Sequence, residues 1–334
     1  MLPHELHLQQ LLQTVPALRY TGEMPFEQWQ RAAREKLAAL LGMDTFHPCK
    51  PWFKVEPPQD MGAYLRTRFS FKSEDNYRVP CYWLEPKVLP NGPVPVMICL
   101  QGHTTGMHIS IGEAKYPEDA ERIEGGRDYA VQSVSKGMCA LVVEQRGFGE
   151  CGSTLPTGEP DCYRASMSAL LLGRTLLAGR VWDVMRAIDM VQEHFTCNFE
   201  GSAEFYCMGD SGGGVATMYI ACLEPRVVKA MPICAVCSFD HSIATFWHCA
   251  CNYVPGIRRW FDMGDLAGMI APRPLMVVAG QEDSIFPIVP TRDTFALIQT
   301  YYEAAGVPQN CALHAGSGGH QFFREAWDGF FELG

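Results

Sequence analysis

Residues 204–223, E-F-Y-C-M-G-D-S-G-G-G-V-A-T-M-Y-I-A-C-L, decide how the rest of the chain is read. The apolar run 205–208 suits a buried strand and stops at Gly209, and a helix-like pattern begins at Gly213. Asp210, Ser211 and Gly212 must therefore carry the chain from strand to helix with almost no linker. Gly209-Asp210-Ser211-Gly212-Gly213 has the form Gly-x-Ser-x-Gly, a nucleophile elbow. In such a turn the serine backbone is strained, and glycine two positions to either side leaves the space a Cβ would fill. The spacing predicts a hydroxyl pushed into the open above a helix N-terminus. The bland alternative is a glycine-rich turn with an idle serine, and the strand-turn-helix setting favours the nucleophile.

The 334 residues are 47% hydrophobic, enough for one large α/β domain or one domain with appendages. A net charge of −10 and the lack of a dense Lys/Arg run argue against a nucleic-acid or anionic-membrane partner, because phosphate binding needs clustered positive charge. A small or neutral substrate fits better. The N-terminus M-L-P-H-E-L-H-L-Q-Q lacks the basic flank and unbroken apolar core of a signal peptide, and no stretch approaches the ~20 apolar residues of a membrane span. The chain reads as cytoplasmic. Several of its 14 cysteines, among them Cys99, Cys139, Cys207, Cys222 and Cys234, lie in apolar runs as reduced core residues do. Cys234-x-x-Cys237 and Cys249-x-Cys251 have the form of metal or redox pairs, but no second pair with zinc-like spacing follows, so no metal and no cofactor is expected.

Taken in order, residues 1–60 form an N-terminal arm with a helix over 25–41 closed by Gly42, then prolines 48, 51, 57 and 58 that keep the chain extended. Such an arm packs on a domain's flank or mediates self-association into a homo-oligomer, and the sequence leaves both open. Residues 61–334 read as one catalytic domain. Strands are expected over 65–71, 79–84, 94–100, 139–144, 228–236, 275–279 and 311–314, alternating after residue 94 with helices near 128–136, 161–195, 291–305 and from about residue 320. Gly179 is a candidate break in the long helical tract. Residues 238–262 form an irregular insertion. Right-handed crossovers then place the elbow at the carboxyl edge of a mostly parallel sheet flanked by helices.

A serine hydroxyl needs an imidazole to take its proton and a carboxylate to hold that imidazole in the right tautomer. Asp283 follows the strand L-M-V-V-A in the turn Gly280-Gln281-Glu282-Asp283, which puts a carboxylate at the same sheet edge. Glu282 and Asp293 are the competitors. His320, at the end of Ala315-Gly316-Ser317-Gly318-Gly319-His320, sits on a loop able to carry a ring to Ser211, whereas His314 falls within a strand. The oxyanion of a tetrahedral intermediate needs two backbone N–H donors. Gly212, at the helix N-terminus, supplies one, and His103 in Gln101-Gly102-His103-Thr104 supplies the other. The ring-rich insertion leaves the sheet beside the elbow, so Trp247, His248, Asn252 and Tyr253 are expected to line the substrate pocket, the alternative being an aromatic cap packed for stability.

With Gly-Asp-Ser-Gly-Gly, Gly-Gln-Glu-Asp-Ser-Ile-Phe-Pro and Gly-Gly-His in this order, the chain resembles the α/β-hydrolase superfamily over residues 64–334. Gln101-Gly102-His103, Gln145-Arg146-Gly147-Phe148-Gly149, L-L-L-G-R-T-L-L-A-G-R-V-W-D at 170–183, Cys251-Asn252-Tyr253-Val254-Pro255-Gly256 and Ala271-Pro272-Arg273-Pro274 look like its acetyl-xylan-esterase-like and dienelactone-hydrolase-like branch. The resemblance implies an α/β-hydrolase fold and a serine esterase that cleaves a small acyl group, acetyl first, from a carbohydrate or other small alcohol. A serine rather than a cysteine nucleophile argues against dienelactone hydrolysis itself. The alternatives are a prolyl-oligopeptidase-like peptidase, for which the chain lacks a propeller-sized domain, and a hydrolase-fold binding protein without catalysis.

Overall fold

The computed structural model describes residues 1–152, 161–196, 199 and 201–334. Ten strands among them form one sheet: β1 (Phe53–Val55), β2 (Gln59–Asp60), β3 (Tyr64–Glu74), β4 (Tyr77–Pro86), β5 (Val94–Leu100), β6 (Cys139–Val143), β7 (Ala203–Asp210), β8 (Val227–Ile233), β9 (Leu275–Gly280) and β10 (Cys311–Gly316). Their spatial order is β1-β3-β4-β6-β5-β7-β8-β9-β10, with β2 on β3. The β1, β3 and β4 edge is antiparallel, and β6, β5, β7, β8, β9 and β10 run parallel. The helices are α1 (Pro3–Gln13), α2 (Phe26–Leu41), α3 (Asp119–Arg122), α4 (Tyr129–Ser135), α5 (Tyr163–Leu171), α6 (Leu176–His194), α7 (Gly212–Leu223), α8 (Met263–Gly268), α9 (Ile288–Ala304) and α10 (Ala326–Glu332).

The inner strands β5, β6 and β9 are wholly apolar because both faces of the sheet are covered there. In β5, Val96, Ile98 and Leu100 enter one core while Met97 and Cys99 enter the other, and β6 divides in the same way. The larger core carries α2, α6, α7, α8 and α9; the smaller holds residues of α4 and α10. From the N-terminal arm, Trp29, Ala33, Leu37 and Leu41 of α2 are buried in the larger core, whereas α1 has no buried residue.

Three expectations shift. Gly179 breaks no helix: it lies inside α6, where a Cβ would stand 2.8 Å from Cδ of Arg146. The break falls at residues 172–175, where Gly173 takes φ 73° and the Thr175 hydroxyl caps α6 by accepting from the Ala178 N–H. The last helix begins at Ala326, so His320 stays on a loop, and the proline-rich stretch contributes the short edge strands β1 and β2.

Register sets what leaves the sheet together. Leu100 pairs with Gly209, so the loop after β5 and the turn after β7 emerge side by side, and Gly280 pairs with Gly316, so the loops after β9 and β10 do likewise. The chain moves from β5 to β6 on one flank and to β7 on the other, the reversal at which open α/β sheets place their sites.

Candidate active site

Ser211 takes φ 52° and ψ −119°, a conformation that costs a non-glycine residue about 1–3 kcal/mol and persists only where the surroundings enforce it. What enforces it is close packing. A Cβ on Gly213 would lie 2.3 Å from the Leu100 carbonyl oxygen, and one on Gly209 would lie 2.6 Å from the same atom. The Ser211 N–H is taken by the Ile233 carbonyl at 2.8 Å, which ties the turn to β8.

Asp283 and His320 meet as the register requires. His320 Nδ1 lies 2.8 Å from Asp283 Oδ2, and Asp283 Oδ1 accepts the N–H groups of Ile285 at 2.8 Å and Phe286 at 3.1 Å. Burial pushes this carboxyl up, but the hydrogen bond and charge of His320 and the two backbone donors outweigh it, holding Asp283 below its ordinary value. Glu282 and Asp293 are exposed, and His314 is in β10 beside Phe323. The other ring nitrogen of His320, Nε2, is buried and makes no hydrogen bond, including none to Ser211.

His103 and Gly212, the residues expected to supply the oxyanion donors, are neighbours in space. Gly212 is the first residue of α7, where an N–H has no acceptor within the helix. The His103 ring packs so close to it that a Cβ on Gly212 would lie 2.7 Å from His103 Nδ1. The His103 imidazole does more than face the cavity: its Nε2 is 3.2 Å from Cys251 Sγ.

The sequence assigns no role to Asp210, Arg127 or Gln101. Buried Asp210 accepts the Gly102 N–H at 2.9 Å and pairs with Arg127 at 3.0 Å, and Arg127 donates to the His320 carbonyl at 3.3 Å. One ion pair therefore couples the elbow, the loop after β5 and the histidine loop. Gln101 Nε2 donates to Ser110 Oγ and to the Arg127 carbonyl, each at 2.7 Å. The Gly-x-Ser-x-Gly motif leaves the position of Asp210 open, and its partners lie in other segments. Arg146 holds structure: it pairs with Asp183 and Glu74, each at 2.7 Å.

Ser211 opens onto a cavity of about 720 Å³ whose walls include His103, Gly212, Val215, Trp247, His248, Asn252 and Phe286. Trp247 stands at its rim, 92% exposed. His248 Nδ1 is 3.3 Å from Asn252 Nδ2, and burial, with His103 and His320 nearby, lowers its imidazole below the usual value. The Phe286 ring lies near the rings of both His248 and His320. Tyr253 departs from expectation: it lines a second hollow of about 220 Å³ and donates its hydroxyl to the Ile243 carbonyl at 3.0 Å. Asn252, the residue before Tyr253, lines both hollows.

This parallel sheet, its flanking helices and the loops gathered at one edge make the chain an α/β-hydrolase in fold. No family model matches it. In sequence it is 23% identical over 215 residues to "Putative hydrolase YtaP" of Bacillus subtilis (strain 168), an alignment covering 63% of this chain and 67% of that protein. In structure it is similar to a "putative acetyl xylan esterase" from Bacteroides fragilis NCTC 9343, at a TM-score of 0.78 and 17% identity over 94% of this chain and 82% of the other. It is also similar to a glucuronoyl esterase from Solibacter usitatus, at a TM-score of 0.66 and 15% identity over 96% of each chain. Acetyl xylan esterase 1 from Thermoanaerobacterium sp. JW/SL YS485 gives a TM-score of 0.58 at 17% identity, covering 98% of this chain and 97% of the other. None of the helices among the described residues is long and apolar enough to cross a membrane.

Proposed function

We propose that this chain is a serine carboxylic-ester hydrolase that removes a small acyl group, acetyl first, from a carbohydrate or other small alcohol. Ser211 Oγ attacks the ester carbonyl carbon while His320 Nε2 takes its proton, and Asp283 holds the ring through Nδ1. The N–H groups of His103 and Gly212 receive the oxyanion. Collapse breaks the carbonyl–alkoxy bond, the imidazolium protonates the departing alcohol, and an acyl-Ser211 ester remains. Water, deprotonated by His320, attacks that ester and releases the acid and the free serine.

The observation that carries the reading is Ser211 held at positive φ on the wall of the cavity, at the sheet edge where the Asp283–His320 pair also emerges. Names among the structural neighbours, acetyl xylan esterase and glucuronoyl esterase, support an ester of a sugar. The cavity suits two unequal halves of such a substrate. Val215, Ile285 and Phe286 form an apolar wall for a short acyl chain, and Trp247, His248 and Asn252 supply a ring face and polar groups for an alcohol. Thirteen free thiols among the described residues support a reducing compartment such as the cytoplasm. The exposed Leu2, just before α1, and Leu6 and Leu12 of α1 are where self-association would run.

The test is turnover of an aryl acetate, an aryl butyrate, an acetylated xylo-oligosaccharide and a peptide amide. Acetate and acetylated sugar should be hydrolysed, and Ser211→Ala should lower kcat by at least about 10⁴-fold with circular dichroism unchanged. Wild-type turnover by Ser211→Ala, or cleavage of the amide without any ester, would overturn the proposal.

A further inference from the structure

Beside the proposed serine centre, four sulfur and nitrogen donors from three separate segments converge. His103 comes from the loop after β5, Cys162 from the residue preceding α5, and Cys249 and Cys251 from the insertion. One ligand atom of each lies within 4.8 Å of all the others. His103 Nε2 is 3.2 Å from Cys251 Sγ, and Cys251 Sγ is 3.3 Å from Cys249 Sγ. A tetrahedral ion with sulfur at about 2.3 Å and nitrogen at about 2.0 Å spaces its ligand atoms roughly 3.5–3.8 Å apart, so small side-chain adjustments would close four bonds.

We propose that these residues form a structural Cys₃His site for a zinc-class divalent ion. The first argument is what the cluster lacks. The cysteines share an apolar cluster with Phe148 and Leu176, but thiol–thiol contacts are weak and that packing does not require three sulfurs and an imidazole edge around one point. The second is charge. Arg180 is 1% exposed and donates to Cys162 Sγ at 3.3 Å and Cys251 Sγ at 3.4 Å, with its other hydrogen bonds to the Arg146 carbonyl and its guanidinium 4.2 Å from the centroid of the Phe148 ring. No carboxylate among the described residues pairs with it. Three thiolates, a neutral imidazole and a divalent ion sum to −1, which one buried guanidinium balances. The third is architecture. Residues 238–262 carry only 3₁₀ turns, the kind of irregular segment that a metal staple holds in place.

Four protein ligands fill a tetrahedron and leave no position for substrate, so the ion's role is to hold structure. Binding releases the three thiol protons to solvent and changes no oxidation state. Cys249 is half-buried and lies on the wall of the main cavity, which gives the ion a way in. The site would clamp the insertion to His103 and so fix the wall that packs against Gly212. Sequence reading found only Cys249-x-Cys251, because the other two ligands are 146 or more and 87 or more positions earlier in the chain (249 − 103 and 249 − 162).

The experiment uses the full chain, produced in zinc-supplemented medium without a metal-affinity tag, with metal measured by inductively coupled plasma mass spectrometry. About one zinc per chain should survive dialysis and be released when an organomercurial titrates the thiols. Cys162→Ser and Cys251→Ser should lose the metal on dialysis, whereas Cys49→Ser should keep it. Should the ligand variants fail to fold, cobalt(II) added to metal-stripped wild type should give thiolate charge-transfer and tetrahedral d–d absorption. Wild type without stoichiometric zinc and without those bands would overturn the proposal, as would a disulfide among Cys162, Cys249 and Cys251 in unreduced protein. Metal content is read without ester turnover, so failure here and failure of the serine assignment are separate results.

Discussion

Asp283 is where the chemistry of the proposed site and the stability of the fold meet in one side chain. Its carboxyl is held below its ordinary value of 3.8, with the His320 bond and two backbone N–H groups prevailing over burial. A carboxyl depressed in the fold contributes stability above its unfolded value and loses it as pH falls through the folded one. Asp283→Asn should therefore lower unfolding free energy by about 1.5–3 kcal/mol at pH 7, with the gap to wild type closing below about pH 4. Urea denaturation at pH 7 and pH 3 reads both ends, and an equal gap at the two would refute the argument. The same variant should lose about 10³–10⁴-fold in kcat, because an amide favours the wrong imidazole tautomer. At this scale Ser211, Asp283 and His320 could be picked out as candidates because each follows an apolar strand in a glycine-bearing turn. Asp210 and Arg127 could not be, because a buried ion pair between segments 83 residues apart (210 − 127) leaves no local trace.

At Gly209 and Gly213 the strand-turn-helix unit from β7 into α7 packs backbone against backbone, with no side chain among the nearest atoms to move aside. A Cβ on Gly213 would meet the carbonyl oxygens of Leu100 and Gln101 at 2.3 and 2.6 Å. Gly213→Ala should consequently push the loop after β5 away from the elbow, lowering stability by about 1–3 kcal/mol and displacing the proposed oxyanion donors. Ester turnover should fall by more than the loss of folded protein explains; normal specific activity of the folded fraction would show that the loop adapts. Elements of this kind were readable in the sequence wherever an apolar run ended in glycine. The reading slipped at Gly179, since a helix glycine that makes room for Arg146 looks like one that ends a helix. It slipped again at Tyr253, because ring content in the insertion does not reveal which hollow each ring lines.

On the scale of the whole molecule, α2 of the arm shares the core that underlies α6 and α7, so the arm's central part and the sheet are packed as one body. That arrangement depends on Trp29 and Leu37 finding partners far along the chain, among them Tyr301, whose ring centroid is 4.9 Å from that of Trp29. Long-range matching of this sort is invisible to periodicity, which reports only that α2 has an apolar side. Of the seven tryptophans, six are buried or half-buried and Trp247 alone is exposed, at the lip of the main cavity. The protein thus carries its own optical reporter. Iodide should quench one emitting component, Trp247→Phe should abolish that component, and a saturating substrate analogue should shield it, so occupancy can be followed by fluorescence in a catalytically silent Ser211→Ala chain without any attached dye.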